Sequence, residues 1–205
     1  MNLPKALLLV VDMQRSFCES EGVSVQVGGP LHGIEAVTDN LVGYIDRARR
    51  EGMRIAFTRH GYAPDYSDQG RSAGSFPISR AVRQLGGVIR GSDDHQIVAA
   101  LVPEEGDIVI DKVRLDAFLH TPLESTLRNL GVDSIVVGGC VTNFCVETTV
   151  RSAWQRDFDV TVLADGVAAY TPEMQQRGLD TIAECCFARV STGPEALLRP
   201  SLVSS

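Results

Sequence analysis

The apolar positions of this chain fall into two recurring patterns. Short, nearly continuous apolar runs, often β-branched, occupy residues 6–11, 54–58, 107–110, 134–137, 160–163 and 189–191. A run without polar alternation predicts a strand covered on both faces, as in a parallel sheet. Between these runs the apolar residues recur at helical spacing. Ile34, Val37, Leu41, Tyr44, Ile45 and Ala48 mark a helix over 34–51 that stops at Gly52. Thr121 at a cap position, Pro122 in the first turn and Gly131 beyond the end bracket a helix over 121–130. Val146, Val150, Ala153 and Trp154 carry a third over 143–156, and Thr171-Pro172-Glu173 opens a fourth that runs to about residue 186. Strand–helix alternation of this kind predicts an α/β fold: a three-layer α/β/α sandwich with a mostly parallel central sheet and right-handed crossovers. Neither a repeat nor a linker divides the chain, so a single domain over 1–205 is expected.

Residues 61–95 break the pattern. They are rich in Gly, Ser, Asp and Pro, with one short apolar stretch at 78–85. A connection this long inside a compact domain is usually functional, as a pocket cover or a subunit contact.

Composition narrows the function classes. Of 205 residues, 44% are hydrophobic and 22% charged, which are ordinary globular proportions. The net charge is −7 with no basic run, so phosphate neutralisation offers no gain and nucleic acid is not an expected partner. The apolar run at 6–11 is too short to span a bilayer or to form a secretory core, which predicts a cytoplasmic protein without a membrane partner. The five cysteines are Cys18, Cys140, Cys145, Cys185 and Cys186, an odd count that argues against a disulfide framework. Cys140 and Cys145 lack zinc-ligand spacing and a nearby histidine. Cys185 and Cys186 are expected to fill a helix face as small hydrophobes.

In parallel α/β sheets, sites form beyond the carboxyl ends of the strands. Three reactive residues fall there. Asp12 directly follows the run at 6–11, Lys112 follows 107–110 with Asp111 between, and Cys145 lies across a glycine-containing turn after 134–137. A helix start and a nearby ammonium both favour a thiolate, so a lowered Cys145 pKa is expected. Asp12 is suited to take the thiol proton and return it to a leaving amine. Lys112 is suited to hold Asp12 and balance developing charge. Backbone N–H groups of the turn are suited to an oxyanion hole. Each residue also has a plainer use: the cysteine as core filler, the aspartate as a turn cap, the lysine paired with Asp111 or Asp116. Three complementary groups on one sheet edge bring catalysis level with that plainer reading.

With these residues in place, the chain resembles the isochorismatase-like cysteine hydrolases over roughly residues 5–195. The resemblance is carried by ALLLVVDMQRSF, DIVIDKVRLDAFLHTPLESTLRNLGV and IVVGGCVTNFCVETTVRSAWQRDFDVTVLADGVAAYT. It implies an acid/base at Asp12, a catalytic lysine at Lys112 and a nucleophile at Cys145. It also implies a non-proline cis peptide between Cys140 and Val141, an oxyanion hole from the N–H groups of Val141 and Cys145, and a pocket wall at Phe17. Phe118 and His60 are further pocket candidates. The isochorismatase branch of that family cleaves an enol ether without the cysteine, so Cys145 favours the amidase branch. Nicotinamidases resemble the chain too, but they carry an Asp-x-His metal pattern after the second strand. Here that stretch reads Thr58-Arg59-His60-Gly61-Tyr62, so no metal and no cofactor are expected.

The resemblance therefore implies hydrolysis of a C–N bond in a small amide, ureide or N-carbamoyl compound, through a thioester on Cys145. Arg59, His60, Arg71 and Arg114 are candidates to meet a substrate carboxylate. The rivals are an isochorismatase-type ether hydrolase and a catalytically silent binding protein of the same fold. A homo-oligomer, dimer or tetramer, is expected from the resemblance, with the 61–95 segment and Leu197, Leu198 and Leu202 as candidate contacts.

Overall fold

A computed structural model describes residues 6–185 and 188–197. Six parallel strands form one sheet: β1 (Ala6–Val11), β2 (Arg54–His60), β3 (Ile108–Lys112), β4 (Ser134–Cys140), β5 (Asp159–Ala168) and β6 (Arg189–Ser191), in the order β3-β2-β1-β4-β5-β6. The helices are α1 (Arg15–Cys18), α2 (Val23–Gly28), α3 (Ile34–Arg50), α4 (Arg71–Ser75), α5 (Pro77–Gln84), α6 (Leu123–Asn129), α7 (Glu147–Trp154) and α8 (Pro172–Cys185).

The central strand explains its own sequence. All six residues of β1 are buried, because β2 and β4 flank it and helices cover both faces. Side chains alternate across a strand. Leu7, Leu9 and Val11 therefore join the core beneath α6, α7 and α8, with Leu123, Leu127, Val150 and Ile182. Leu8 and Val10 join the opposite core beneath α3, with Val37, Leu41 and Ile45. Each fully buried leucine stabilises the fold by roughly 1.5–3 kcal/mol. The result is the expected α/β/α layering.

The chain runs outward from β1 through β2 to β3, then crosses back to β4 on the other side of β1. That reversal opens a crevice above the carboxyl ends of β1 and β4. The register pairs Val11 with Thr58 on one side and with Gly139 on the other. Gly139 has φ 116, and a Cβ there would stand 2.1 Å from the Val11 carbonyl oxygen. Only glycine lets the two backbones approach this closely.

Several boundaries differ from the sequence expectation. β3 includes Asp111 and Lys112, so the lysine ends the strand rather than following it. The helix expected over 143–156 is two pieces, a wide turn at Thr142–Val146 and then α7. Cys185 is exposed instead of packed, and Cys186 lies outside the described residues. Leu197 is buried in the α3-side core and is no free contact surface; Leu198 and Leu202 lie outside the described residues. The 61–95 segment is not a bare loop. It holds α4 and α5, and returns so that Tyr62 and Ile89 form a parallel bridge. Among the described residues, no helix is long and apolar enough to cross a membrane.

Candidate active site

Asp12, Lys112 and Cys145 come from three strand ends and meet at the crevice. Asp12 follows β1 with φ 51, a left-handed conformation uncommon for a residue with a side chain. Its backbone is held on both sides. The Asp12 N–H donates to the Thr58 carbonyl and hydroxyl, both at 3.2 Å, while Gln14 N–H and the Cys140 thiol donate to its carbonyl at 2.8 and 3.2 Å. The carboxylate is equally constrained. The Thr58 hydroxyl donates to Oδ1 at 2.6 Å, and the Lys112 ammonium meets Oδ2 at 2.7 Å. That second contact is an ion pair off the hydrogen-bond axis, so Oδ2 has no aligned hydrogen bond among the described residues.

Strand alternation decides where Lys112 points. Asp111 turns to the opposite face and pairs with Arg59 at 2.7 Å, while Asp116 accepts hydrogen bonds from Phe118 N–H and the Ser152 hydroxyl. Neither is the partner of Lys112. Its ammonium instead joins Asp12 and donates to the carbonyls of Arg114 and Leu115 at 2.9 and 3.2 Å. Burial of this ammonium opposes its charge, but Asp12 and the adjacent Cys145 outweigh that and leave its pKa raised. Lys112 is charged.

Cys145 sits in the Thr142–Val146 turn, with Val146 N–H reaching back to the Val141 carbonyl at 3.2 Å. The preceding peptide bond, Cys140–Val141, is cis. Asp12 and Lys112 are the charged groups that act on the Cys145 sulfur. The expected lowering of the thiol pKa is overturned. Burial pushes it up to about 12, Asp12 adds to the rise, and Lys112 only partly offsets it. The resting group is a neutral thiol beside a buried ion pair.

A cavity of about 430 Å³ opens onto Cys145. Phe17, His60, Tyr62, Val141, Phe144 and Tyr170 form its inner wall. The 61–95 segment supplies Ser72, Ala73, Phe76, Ile78, Ser79, Val82 and Val88. Of the pocket candidates, Phe17 and His60 line this cavity. Phe118 does not: it lies in the core, stacked on Phe158 at 5.8 Å between ring centroids, and is absent from the cavity lining. Burial, then Lys112, lowers the His60 pKa to about 4, so the ring is neutral. Among the described residues, no group of three or more His, Cys, Asp or Glu is placed to hold a metal ion.

Two supporting residues carried no sequence signal. Thr58 reads as one more β-branched strand residue. Gln14 is fully buried and ties three segments together, donating to the carbonyls of His60 and His95 at 3.0 Å each and accepting from His60 N–H at 2.6 Å.

The isochorismatase domain profile matches residues 6–195. The chain belongs to that family. Among relatives, the ureidoacrylate amidohydrolase RutB of Methylorubrum extorquens is 32% identical over 194 residues, covering 90% of this chain and 78% of that one. A cysteine hydrolase from Pseudomonas syringae pv. phaseolicola is 30% identical with a TM-score of 0.82, covering 94% of this chain and 90% of that one. The N-carbamoylsarcosine amidase of Thermoplasma acidophilum, 23% identical with a TM-score of 0.71 and coverage of 91% and 95%, shares the fold. In this member of the isochorismatase domain family, Cys145 opens onto the cavity with the Asp12–Lys112 pair buried beside it.

Proposed function

We propose that the chain hydrolyses a C–N bond in a small amide, ureide or N-carbamoyl compound, with Cys145 as nucleophile. The amidohydrolase class rests on the family and on relatives such as the ureidoacrylate amidohydrolase. The observation that carries the residue roles is that Cys145, which lines the cavity, adjoins the buried Asp12–Lys112 pair.

A neutral thiol needs a base at the moment of attack, and Asp12 Oδ2 is the adjacent acceptor without an aligned hydrogen bond. Asp12 takes the thiol proton as the sulfur bonds to the carbonyl carbon. The oxygen that gains the electron pair lies against the N–H groups of Val141 and Cys145. Collapse of the adduct breaks the C–N bond, and Asp12 gives its proton to the departing amine. A thioester remains. Water then attacks it with Asp12 accepting a proton, the C–S bond breaks, and the proton returns to Cys145. Lys112 stays charged throughout and offsets the negative charge as it moves between carboxylate, sulfur and oxygen. The scheme uses no metal or cofactor.

The test is ammonia release across small amides, ureides and N-carbamoyl acids, with Cys145→Ser and Asp12→Asn beside the wild type. Loss of roughly a hundred-fold or more in each variant is expected. Full ammonia release by Cys145→Ser would sink the role of Cys145, whereas no release from any of these substrates by the wild type would favour ether cleavage of the isochorismatase type.

A further inference from the structure

Four side chains were sequence candidates for meeting a carboxylate, and the structure separates them. Arg59 already holds Asp111, with Nε and Nη2 donating at 2.7 and 3.1 Å. Arg71 opens α4, is exposed and does not line the cavity. His60 lines it but is neutral. Arg114 lines the cavity two residues beyond Lys112.

Arg114 is held in place without being neutralised. Its Nη1 donates to the carbonyls of Val113, Asp68 and Gln69 at 3.0, 3.1 and 3.3 Å. Among the described residues it meets no carboxylate, and its Nε and Nη2 make no hydrogen bond. Gly70 gives the guanidinium room. Its φ is +76, and a Cβ there would stand 2.9 Å from Nη2. Two buried polar atoms nearby also lack partners, His60 Nδ1 and Gln69 Nε2. Gln69 is only 2% exposed, and its side chain reaches Tyr62 on the cavity wall. Most of the remaining wall is apolar or aromatic.

A guanidinium on the cavity wall with two free donors and no acidic partner is available to an incoming anion. A carboxylate fits the two free N–H directions of a planar fork in a way that a neutral group does not. We propose that Arg114 is the specificity residue of this pocket, and that the substrate is an amide or ureide that also bears a carboxylate. The inference rests on the reading of Cys145 as nucleophile, and the experiment separates the two.

Ammonia release is measured for N-carbamoyl ω-amino acids of graded length, each against its own N-methylamide. The wild type is expected to favour the acid by roughly ten- to a hundred-fold in kcat/KM, the range of a charge-assisted hydrogen-bond pair. Arg114→Met is expected to raise KM for the acid by roughly ten- to a hundred-fold and to lower kcat/KM for the N-methylamide by much less, so that the preference collapses. Arg114→Lys is expected to restore part of it. Equal losses on acid and N-methylamide would mean that Arg114 only pins residues 68–70, and would overturn the proposal. So would a wild type that does not distinguish the two.

Calorimetric binding of the same acids to Cys145→Ser keeps the two claims apart. Binding that depends on Arg114, with no wild-type ammonia release, overturns the role of Cys145 and spares Arg114. Cys145-dependent release that ignores the carboxylate does the reverse.

Discussion

The two oxygens of Asp12 have different neighbours, and the proposed chemistry depends on that difference. Oδ1 is fixed by the Thr58 hydroxyl, while Oδ2 faces the Lys112 ammonium. Thr58→Val keeps the shape and removes a hydrogen bond to a charged group, worth roughly 1.5–3 kcal/mol. A fall in kcat of about ten- to a hundred-fold with little change in KM is expected from steady-state kinetics. An unchanged kcat would show that the carboxylate holds its aim without the hydroxyl. Asp12, Lys112 and Cys145 were legible in the sequence because each stands at a strand end, where reactive groups meet. Thr58 was not, because a threonine inside an apolar strand looks like any strand former. The thiol pKa was misjudged for a related reason. Sequence shows the nearby charge and the helix start but not the depth of burial, and burial dominates.

At the level of elements, continuous apolar runs located all six strands, because a strand covered on both faces has no polar alternation to obscure it. The α4–α5 region was illegible. Its helices are five and eight residues long, too short to show a period, and α4 buries none of its residues. Phe118 was misplaced because chain proximity to Lys112 says nothing about which way a loop side chain turns. Its loop is pinned to α7 by Ala117 N–H donating to the Thr149 hydroxyl at 3.1 Å, and the ring goes to Phe158. The β1–β4 contact is the element most sensitive to a single atom. Gly139→Ala drives a methyl group into the Val11 carbonyl and imposes a side chain at φ 116. A loss of about 3 kcal/mol or more in urea unfolding is expected, with activity falling alongside because Asp12 follows Val11. A variant as stable as the wild type would show that β1 can shift away freely.

For the whole molecule, pH acts through the buried histidines. His60 has a pKa of about 4 in the fold against 6.5 for the free group. Between those values the unfolded chain binds a proton that the fold refuses. Stability from neutral His60 is therefore complete above about pH 6.5 and is lost as pH falls toward 4, by about 2 kcal/mol at pH 5. His95 shifts in the same direction. Urea midpoints should fall from pH 7 to pH 5, and His60→Phe should remove much of that slope; an unaltered slope would place the effect elsewhere. The buried Asp12–Lys112 pair has a different consequence. In the proposed scheme the centre holds a carboxylate, an ammonium and a thiol before proton transfer, and a carboxyl, an ammonium and a thiolate after it. The sum is zero both times. Raising potassium chloride screens exposed charges but leaves this sum alone, so kcat should stay flat while KM for a charged substrate moves. A centre that conserves its own neutrality draws no counter-ion from solvent, which is how an acid, a base and a thiolate can share an apolar wall.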